Sequence, residues 1–408
     1  MSNFIKWSIL IGIAITVQCC DNSSSECQSN VDCGIGSACV ESKCVFKKSD
    51  CEVFGAFTEV AEIAPRNADE IDKIHVVIDK DFSVHYCYHG FDNGKRVSFY
   101  GRQIDSSDFR EESLSLIEDK DVWVECGGIA VSRKGTPVLF SKNTGGIVLK
   151  KNKSWTHVEL PGLTSAEAKG AIYSDQTVVS FSKAHDGGVF LNLSLGYGVN
   201  FQPIYIAKIN EDSSVVSIVN GWEDSGDSDI RGFAPVLAST EKENVIVVND
   251  KRTLQTVLTD ENLNIKEVIE GNYPDVFVLG NSSFQIALLD HNSNIQIYNY
   301  GNDGLFPIGT FGTMEFYRGQ LPWRIAVDSA KRTHILYEDK NTGVNSLAYR
   351  VLSKTGNPGQ LEVISNEIFG SASGTQRYSL VTDLCKRPYI ALVEGNRKDT
   401  KIKVLEQI

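Results

Sequence analysis

The sequence predicts an all-β protein whose main domain is a β-propeller, with seven blades expected and six as the alternative. Three observations predict it. The 408-residue chain almost lacks helical periodicity, with one short candidate helix around Leu163 to Ala168. Short runs rich in Val, Ile, Tyr and Phe follow one another, separated by turns of Gly, Asn, Asp and Lys, which is typical of a sandwich, barrel or propeller. An internal repeat then favours the propeller.

The N-terminus has the features of an export signal. Lys6 precedes the apolar run Trp7 to Val17, which is shorter than the about 20 residues that span a bilayer and is typical of a signal-peptide core. The border that follows, "ITVQCCDNSS", resembles the lipobox of bacterial lipoproteins, where cleavage precedes a lipidated cysteine. The resemblance implies a lipoprotein signal peptide over 1–19, a lipid on Cys20 (alternatively Cys19), and an exported protein anchored to a bacterial membrane. An ordinary secretory signal is the other interpretation.

The cysteine count favours Cys20 as the acceptor. Of ten cysteines, eight remain to pair if Cys20 carries the lipid and Cys19 leaves with the signal peptide. If Cys19 carries it, one thiol is left over, which is unfavourable in an oxidising compartment. The eight predicted disulfide cysteines are Cys27, Cys33, Cys39, Cys44, Cys51, Cys87, Cys126 and Cys385.

A cysteine-rich stretch, "CQSNVDCGIGSACVESKC", runs from Cys27 to Cys44. It is too short to bury a hydrophobic core and lacks the C-x2-C pairs and nearby His of a zinc site, which indicates disulfides. The stretch resembles EB-like or Dickkopf-like modules of the pattern CxxDxDCxxGxxCxxxxC, since Asp32 and Gly34 fit. The resemblance implies a tether and disulfide module over 20–50 that acts as a spacer. Three connectivities are open, and we expect first-to-third and second-to-fourth.

The remaining region, 51–408, contains the repeat. "VVIDKDFSVHYCYHGFDNGKRVSFYG" matches "IAVDSAKRTHILYEDKNTGVNSLAYR" at one constant offset. The matched pairs are Asp79 with Asp328, His85 with His334, Tyr88 with Tyr337, Gly94 with Gly343, and Tyr100 with Tyr349. Weaker copies begin at Ile129, Gly170, Pro235, Val276 and Ser379. Seven units with a period of about 40 to 55 residues predict propeller blades.

These units resemble the BNR/sialidase-like propeller blades of bacterial lipoproteins, which read roughly D-x-x-G-x-x-H-x-x-Y. The resemblance implies a fold and no activity, because propellers carry many functions. The sequence lacks the S-x-D-x-G-x-T-W box and the arginine cluster of a sialidase, and it contains no G-x-S-x-G, H-E-x-x-H or P-loop motif. One active centre uses each residue once, so we expect the recurring His85 and His334 to stabilise their blades.

The last unit ends at its third strand. We therefore expect the strand-like segment Phe57 to Ile63 to become the outermost strand of the final blade, which closes the ring and removes an exposed edge. Closure would bring Cys51 and Cys385 to the same face, where a disulfide would lock the seam. Cys87 and Cys126 then pair by elimination.

Two insertions in the third unit mark a candidate ligand site. The first, "KAHDGGVFLNLSLGYGVNFQP", is predicted between the second and third strands, and the second, "NGWEDSGDSDIRG", between the unit's last strand and the next blade. Antiparallel connectivity would place both on the same face of the ring. There Trp222 could serve as an aromatic platform, with Asp224, Asp227 and Asp229 as polar contacts. The acidic run could alternatively hold Ca²⁺ through hard oxygen ligands, although the EF-hand order of residues is missing, and an ordinary solvated loop is the third possibility. We expect no other metal or cofactor.

Composition and the inner strands bear on function. A net charge of −12 and a pI near 5.2 disfavour a nucleic-acid partner. The predicted innermost strands are mostly Val, Ile, Ala and Leu, with few acids or bases for catalysis. The sequence therefore favours a monomeric, surface-anchored, non-catalytic recognition protein whose propeller loops contact a protein or glycan. The alternative is an extracellular carbohydrate-active hydrolase or lyase with its site in the propeller channel.

Overall fold

The computed structural model divides the chain into two compact units, Met1–Lys47 and Lys48–Ile408. In the first, β1 (Ser37–Val40) and β2 (Lys43–Phe46) form an antiparallel hairpin in which Cys39 lies opposite Cys44. The residues that the structure describes are 37–40, 43–46, 56–103, 109–114, 124–151, 154–163, 170–172, 177–195, 203–220, 232–250, 255–280, 282–311, 323–328, 330–339, 346–368, 377–382 and 387–407.

The second unit is a β-propeller of seven four-stranded antiparallel sheets, which confirms the predicted fold and the count of seven over six. Its strands begin with β3 (Phe57–Ile63), which precedes the blades. Blades 1 to 3 contain β4 (Glu70–Ile78), β5 (Val84–Asp92), β6 (Lys95–Gln103), β7 (Phe109–Ser113), β8 (Cys126–Val131), β9 (Pro137–Ser141), β10 (Gly146–Lys151), β11 (Ser154–Glu159), β12 (Val178–Lys183), β13 (Val189–Ser194), β14 (Ile204–Ile209) and β15 (Val215–Asn220).

The remaining four blades follow the same order of strands. They contain β16 (Gly232–Ser239), β17 (Asn244–Asp250), β18 (Gln255–Thr259), β19 (Ile265–Glu270), β20 (Asn272–Gly280), β21 (Ser283–Leu289), β22 (Ile295–Gly301), β23 (Gly304–Phe311), β24 (Trp323–Val327), β25 (Thr333–Asp339), β26 (Ser346–Leu352), β27 (Glu362–Ser365), β28 (Tyr378–Thr382), β29 (Pro388–Asn396) and β30 (Asp399–Gln407). Each predicted repeat unit contains the first strand of one blade. In the third unit the insertion expected between the second and third strands was wrongly placed, because it begins at the end of the first strand β12 and includes β13 itself.

The final blade is completed by the N-terminal strand, as predicted. β3 pairs antiparallel with β30, from Phe57 opposite Gln407 to Ile63 opposite Ile402. Ile63 is buried between the last and first blades, and ion pairs such as Lys401–Glu62, at 3.2 Å, cross the seam. The pairing gives β30 the neighbour that its own unit does not supply, so the seam leaves no unpaired edge beside that strand.

Burial differs between the first and second strands of a blade. Second strands such as β9 and β13 are buried along their whole length, because neighbouring blades cover both faces of the sheet. First strands of successive blades contact one another around the ring. The first strand β12 is only partly buried, because it is the innermost strand of its sheet and its inner edge faces the axis of the ring, where no further strand pairs with it.

The repeated Asp, His and Tyr of blade 1 form a hydrogen-bonded triad. Asp79 Oδ1 accepts the backbone N–H groups of Asp81, at 2.8 Å, and Ser83, at 2.9 Å, which fixes the turn after β4. Its Oδ2 lies 3.0 Å from His85 Nε2, and His85 Nδ1 lies 2.6 Å from the Tyr100 hydroxyl. All three triad side chains are buried.

Blade 6 repeats the arrangement with Asp328, His334 and Tyr349. There His334 Nε2 lies 3.1 Å from Asp328 Oδ2, and His334 Nδ1 lies 2.6 Å from the Tyr349 hydroxyl. Burial lowers the pKa of both histidines despite their aspartates, so the rings are neutral in the folded state. An ionised aspartate can only accept, which assigns the single ring proton to Nε2 and makes the tyrosine the donor to Nδ1. The recurring histidines are thus tied to structural partners inside their blades.

Candidate functional site

The first strands of all seven blades surround a central channel of about 490 Å³. Antiparallel connectivity fixes its two ends. Loops that join second to third strands and one blade to the next lie at one end, which we call the loop face. Turns that join first to second strands lie at the other end, which we call the turn face. The predicted loop residues 221–231 lie outside the described residues.

The channel wall is mainly apolar and incompletely covered. Apolar side chains of β12 and β20 line it and are partly exposed, although most of them also contact the core between blades. Phe277, for example, packs against the core between blades 5 and 6 and against the core between blades 6 and 7. The partly exposed apolar residues on these two strands are Val178, Val179, Phe181, Val276, Phe277 and Val278. An apolar cavity of this size is within the range that holds small ligands.

One carboxylate and one guanidinium line the channel at neighbouring first strands. Asp275 Oδ2 accepts the backbone N–H of Ile325 at 3.0 Å, and Arg324 donates to the Trp323 carbonyl at 2.9 Å. Burial raises the pKa of Asp275, while the nearby charge of Arg324 opposes the rise. Asp275 therefore holds a proton more readily than an ordinary aspartate.

The turn face carries a second set of charged groups. Lys183, the last residue of β12, lines both the channel and a smaller cavity of about 220 Å³ between blades 1, 2 and 3. Asp79 and Lys80 line both cavities as well, and Arg133 lines the smaller one. Burial alone would raise the pKa of Asp79, but its bonds to His85 and the turn hold that pKa below the usual value.

The ligand residues predicted from the sequence lie outside the described residues. These are Trp222, Asp224, Asp227 and Asp229. The same holds for Cys19 and Cys20, and for the predicted Cys51–Cys385 bridge and the cysteines Cys27 and Cys33. Within the described part of the chain, no group of three or more His, Cys, Asp or Glu side chains could hold a metal ion, and no helix is long and apolar enough to cross a membrane.

Cys87 and Cys126 form a disulfide in the structure, with their Cα atoms 6.1 Å apart. The bond joins the second strand of blade 1 to the first strand of blade 2, in a core that buries both sulfurs completely. It lies away from the channel wall. Its place is therefore structural, at the interface between two blades.

Sequence reasoning missed the charged residues of the channel. Lys183, Asp275 and Arg324 stand in the runs "VVSFSK", "NYPDVFVLG" and "WRIAV", which read as ordinary inner strands. A charged residue within an apolar inner strand was the available signal, because a fully buried strand would exclude it. Because the three residues lie far apart along the chain, the sequence did not show that they line the same channel.

Comparison with known proteins supports the fold. No protein-family model matches the sequence, and no curated protein is similar to it in sequence. A catalytically inactive virginiamycin B lyase from Staphylococcus aureus, solved with quinupristin, is similar in structure with a TM-score of 0.50 and 12% identity, over 86% of this chain and 99% of that one. A streptogramin B lyase has a TM-score of 0.49 and 11% identity, over 86% of this chain and 97% of that one.

A gluconolactonase from Xanthomonas campestris gives a TM-score of 0.38 and 9% identity, over 86% of this chain and 89% of that one. At 12% identity, the likeness to the virginiamycin B lyase shows the fold alone. The chain is a seven-bladed β-propeller with a cavity along its axis.

Proposed function

We propose that this protein is a non-catalytic recognition module that binds its ligand at the loop face and in the adjoining mouth of the channel. The observation that carries the proposal is the channel of about 490 Å³ whose apolar walls remain partly exposed. Burying such a wall against a ligand is favourable, at about 25 cal/mol per Å² of apolar surface. Ligand pockets combine apolar walls of this kind with a few polar groups.

Two channel aspartates that could act in catalysis are already engaged in structural bonds. Both oxygens of Asp79 are used by its turn and by His85, and Asp275 accepts a backbone N–H from the next blade. General acid–base catalysis needs a group that can exchange a proton with a bound substrate. Groups held in this way support binding better than they support turnover.

A glycan is the ligand class that we favour, with a protein as the alternative. Phe181 and Phe277 line the channel, and aromatic rings offer flat apolar faces against which sugar rings can pack. The proposed loop contacts at the mouth are Trp222 with Asp224, Asp227 and Asp229, and calcium could take part through the acidic residues.

The proposal also includes export and anchoring. The signal-like N-terminus and the paired cysteines support a lipid on Cys20 that holds the protein to a bacterial membrane, with the module over 20–50 as the spacer. Palmitate labelling tests this point. Labelling should be lost in Cys20→Ser and kept in Cys19→Ser, and the reverse pattern would assign the lipid to Cys19.

A second candidate function is a carbohydrate-active hydrolase or lyase with its site in the channel. The raised pKa of Asp275 favours it, because a carboxyl group that keeps its proton can act as a general acid. In that case Asp275→Asn would abolish turnover and leave ligand binding intact.

Glycan arrays and glycosidase or lyase substrates, applied to the same purified protein, separate the two candidates. We expect saturable glycan binding without turnover. Binding should weaken at least about tenfold, or 1.4 kcal/mol, in Phe277→Leu, which keeps an apolar side chain in place but removes the ring. The matched control Phe306→Leu alters a phenylalanine that is 49% exposed away from the channel and should bind normally. Substrate turnover that depends on Asp275 would overturn the recognition role.

A further inference from the structure

Lys183 is the charged group of the channel that the proposed recognition function does not use. It stands at the turn face, at the far end of the channel from the loop face, and it borders both cavities. The turn that follows it is held in place, because the backbone N–H of Arg133 donates to the Gly187 carbonyl at 2.8 Å. Lys183 therefore directly precedes a turn that is hydrogen-bonded to the neighbouring blade.

The ammonium of Lys183 has no hydrogen bond or ion pair within the described part of the chain. Asp79, the acid that most affects it, is committed to its own turn and to His85. The neighbouring hydroxyl of Ser182 is also engaged, since it accepts the N–H of Leu237 at 3.0 Å and an amide N–H of Asn192 at 3.0 Å. Asp79 thus offsets the charge of the lysine in part without bonding to it.

Lys183 is exposed to the space of the cavity, and two further cationic side chains line the same walls. The Lys183 side chain is accessible from inside the cavity, yet protein surrounds it closely enough that burial lowers its pKa, and Asp79 offsets the shift only in part. Lys80 and Arg133 add positive charge to the same walls, although Lys80 also pairs with Asp81 at 2.9 Å. This cavity of about 220 Å³, with three cationic side chains and the Asp79 carboxylate in its walls, has the size to take a small anion.

We propose that Lys183 is the centre of an anion-binding site at the turn face, which takes a small carboxylate or phosphate. The bound anion would accept charge-assisted hydrogen bonds from the ammonium, the strongest class of hydrogen bond that a protein offers. The site is independent of the loop face, so it can exist whether or not the recognition function is correct. It would give the propeller a second ligand of a different chemical class.

Calorimetric titration of the full chain in detergent tests the site with two probes, inorganic phosphate and succinate. Sodium chloride at matched ionic strength controls for screening. We expect saturable binding of at least one probe with a stoichiometry of one. Binding of phosphate or of succinate identifies the anion that the site prefers as a phosphate or a carboxylate. Lys183→Met should weaken binding at least about tenfold, or 1.4 kcal/mol. The matched control Lys134→Met removes an exposed lysine paired with Glu211 at the same face and should bind as the wild type does.

Thermal unfolding supplies a readout that does not depend on detecting heat. Added anion should raise the melting temperature of the wild type and of Lys134→Met, but not that of Lys183→Met. The proposal is overturned if neither probe binds, or if Lys183→Met responds to anion as the wild type does.

Discussion

Removal of one hydroxyl from either triad is expected to destabilise the propeller by about 2 kcal/mol. Tyr349→Phe keeps the ring, so the core between blades loses no aromatic surface. What changes is His334 Nδ1, which loses its 2.6 Å bond at a residue only 1% exposed. Water cannot reach the freed acceptor, and a buried polar atom without a partner costs about 1–3 kcal/mol. Tyr100→Phe removes the matching bond to His85 in blade 1 and should cost the same.

The twin triads allow an internal check of the magnitude. They lie in different blades and share no residue, so their effects should add to about 4 kcal/mol in the double variant. Urea unfolding followed by tryptophan fluorescence measures each free energy from the midpoint and the slope. Tyr300→Phe is the matched control, because this half-buried tyrosine stacks on Phe284 at 4.7 Å and its loss should cost within about 0.5 kcal/mol.

Either of two results would refute this reasoning. One is a change within about 0.5 kcal/mol of wild type for both triad variants, since the hydroxyls would then contribute nothing. The other is a double variant whose loss departs widely from the sum of the single losses, because it would couple blades that the structure keeps separate.

The remaining predictions concern pH and the closure of the ring. Burial lowers the pKa of His75 to about 3 and that of His89 to about 4, so folding excludes protons that the unfolded chain binds below its pKa of about 6.5. Between pH 7.5 and 5 the free energy of unfolding should therefore fall by about 2 kcal/mol per histidine in urea titrations. Replacing Cys87 and Cys126 by alanine should cost about 4 kcal/mol, from the separation of 39 residues that the bond closes. Ile63→Ala should cost about 2–5 kcal/mol in urea unfolding, because the side chain is 1% exposed in the closing strand.

Each of these three predictions has a result that would contradict it. A flat wild-type profile between pH 7.5 and 5 would contradict the buried, neutral histidines. A loss below about 1 kcal/mol in the double cysteine variant would mean that the bond does not restrict the unfolded chain. Glu62→Ala, which breaks an exposed ion pair beside Ile63, should cost under about 1 kcal/mol, and an equal loss at both positions would mean that the strand is not buried.

Much of the fold could be predicted because its signals are local. Strand runs and turn residues recur with each blade, and the unfinished last unit required the partner that Phe57–Ile63 supplies. The aligned Asp, His and Tyr of two blades marked structural residues, since the same local geometry needs the same bonds. The pairing of Cys87 with Cys126 followed only by elimination.

The sequence by itself determined the class of fold, the seven units and the strand that closes them, because alternation, turn chemistry and repetition act over a few residues at a time. Only the tertiary structure decided what lies around the axis. Lys183, Asp275 and Arg324 share one channel because ring closure brings three first strands from different blades around the same cavity. No local pattern encodes that convergence, since it depends on the ring diameter and on the register of every blade.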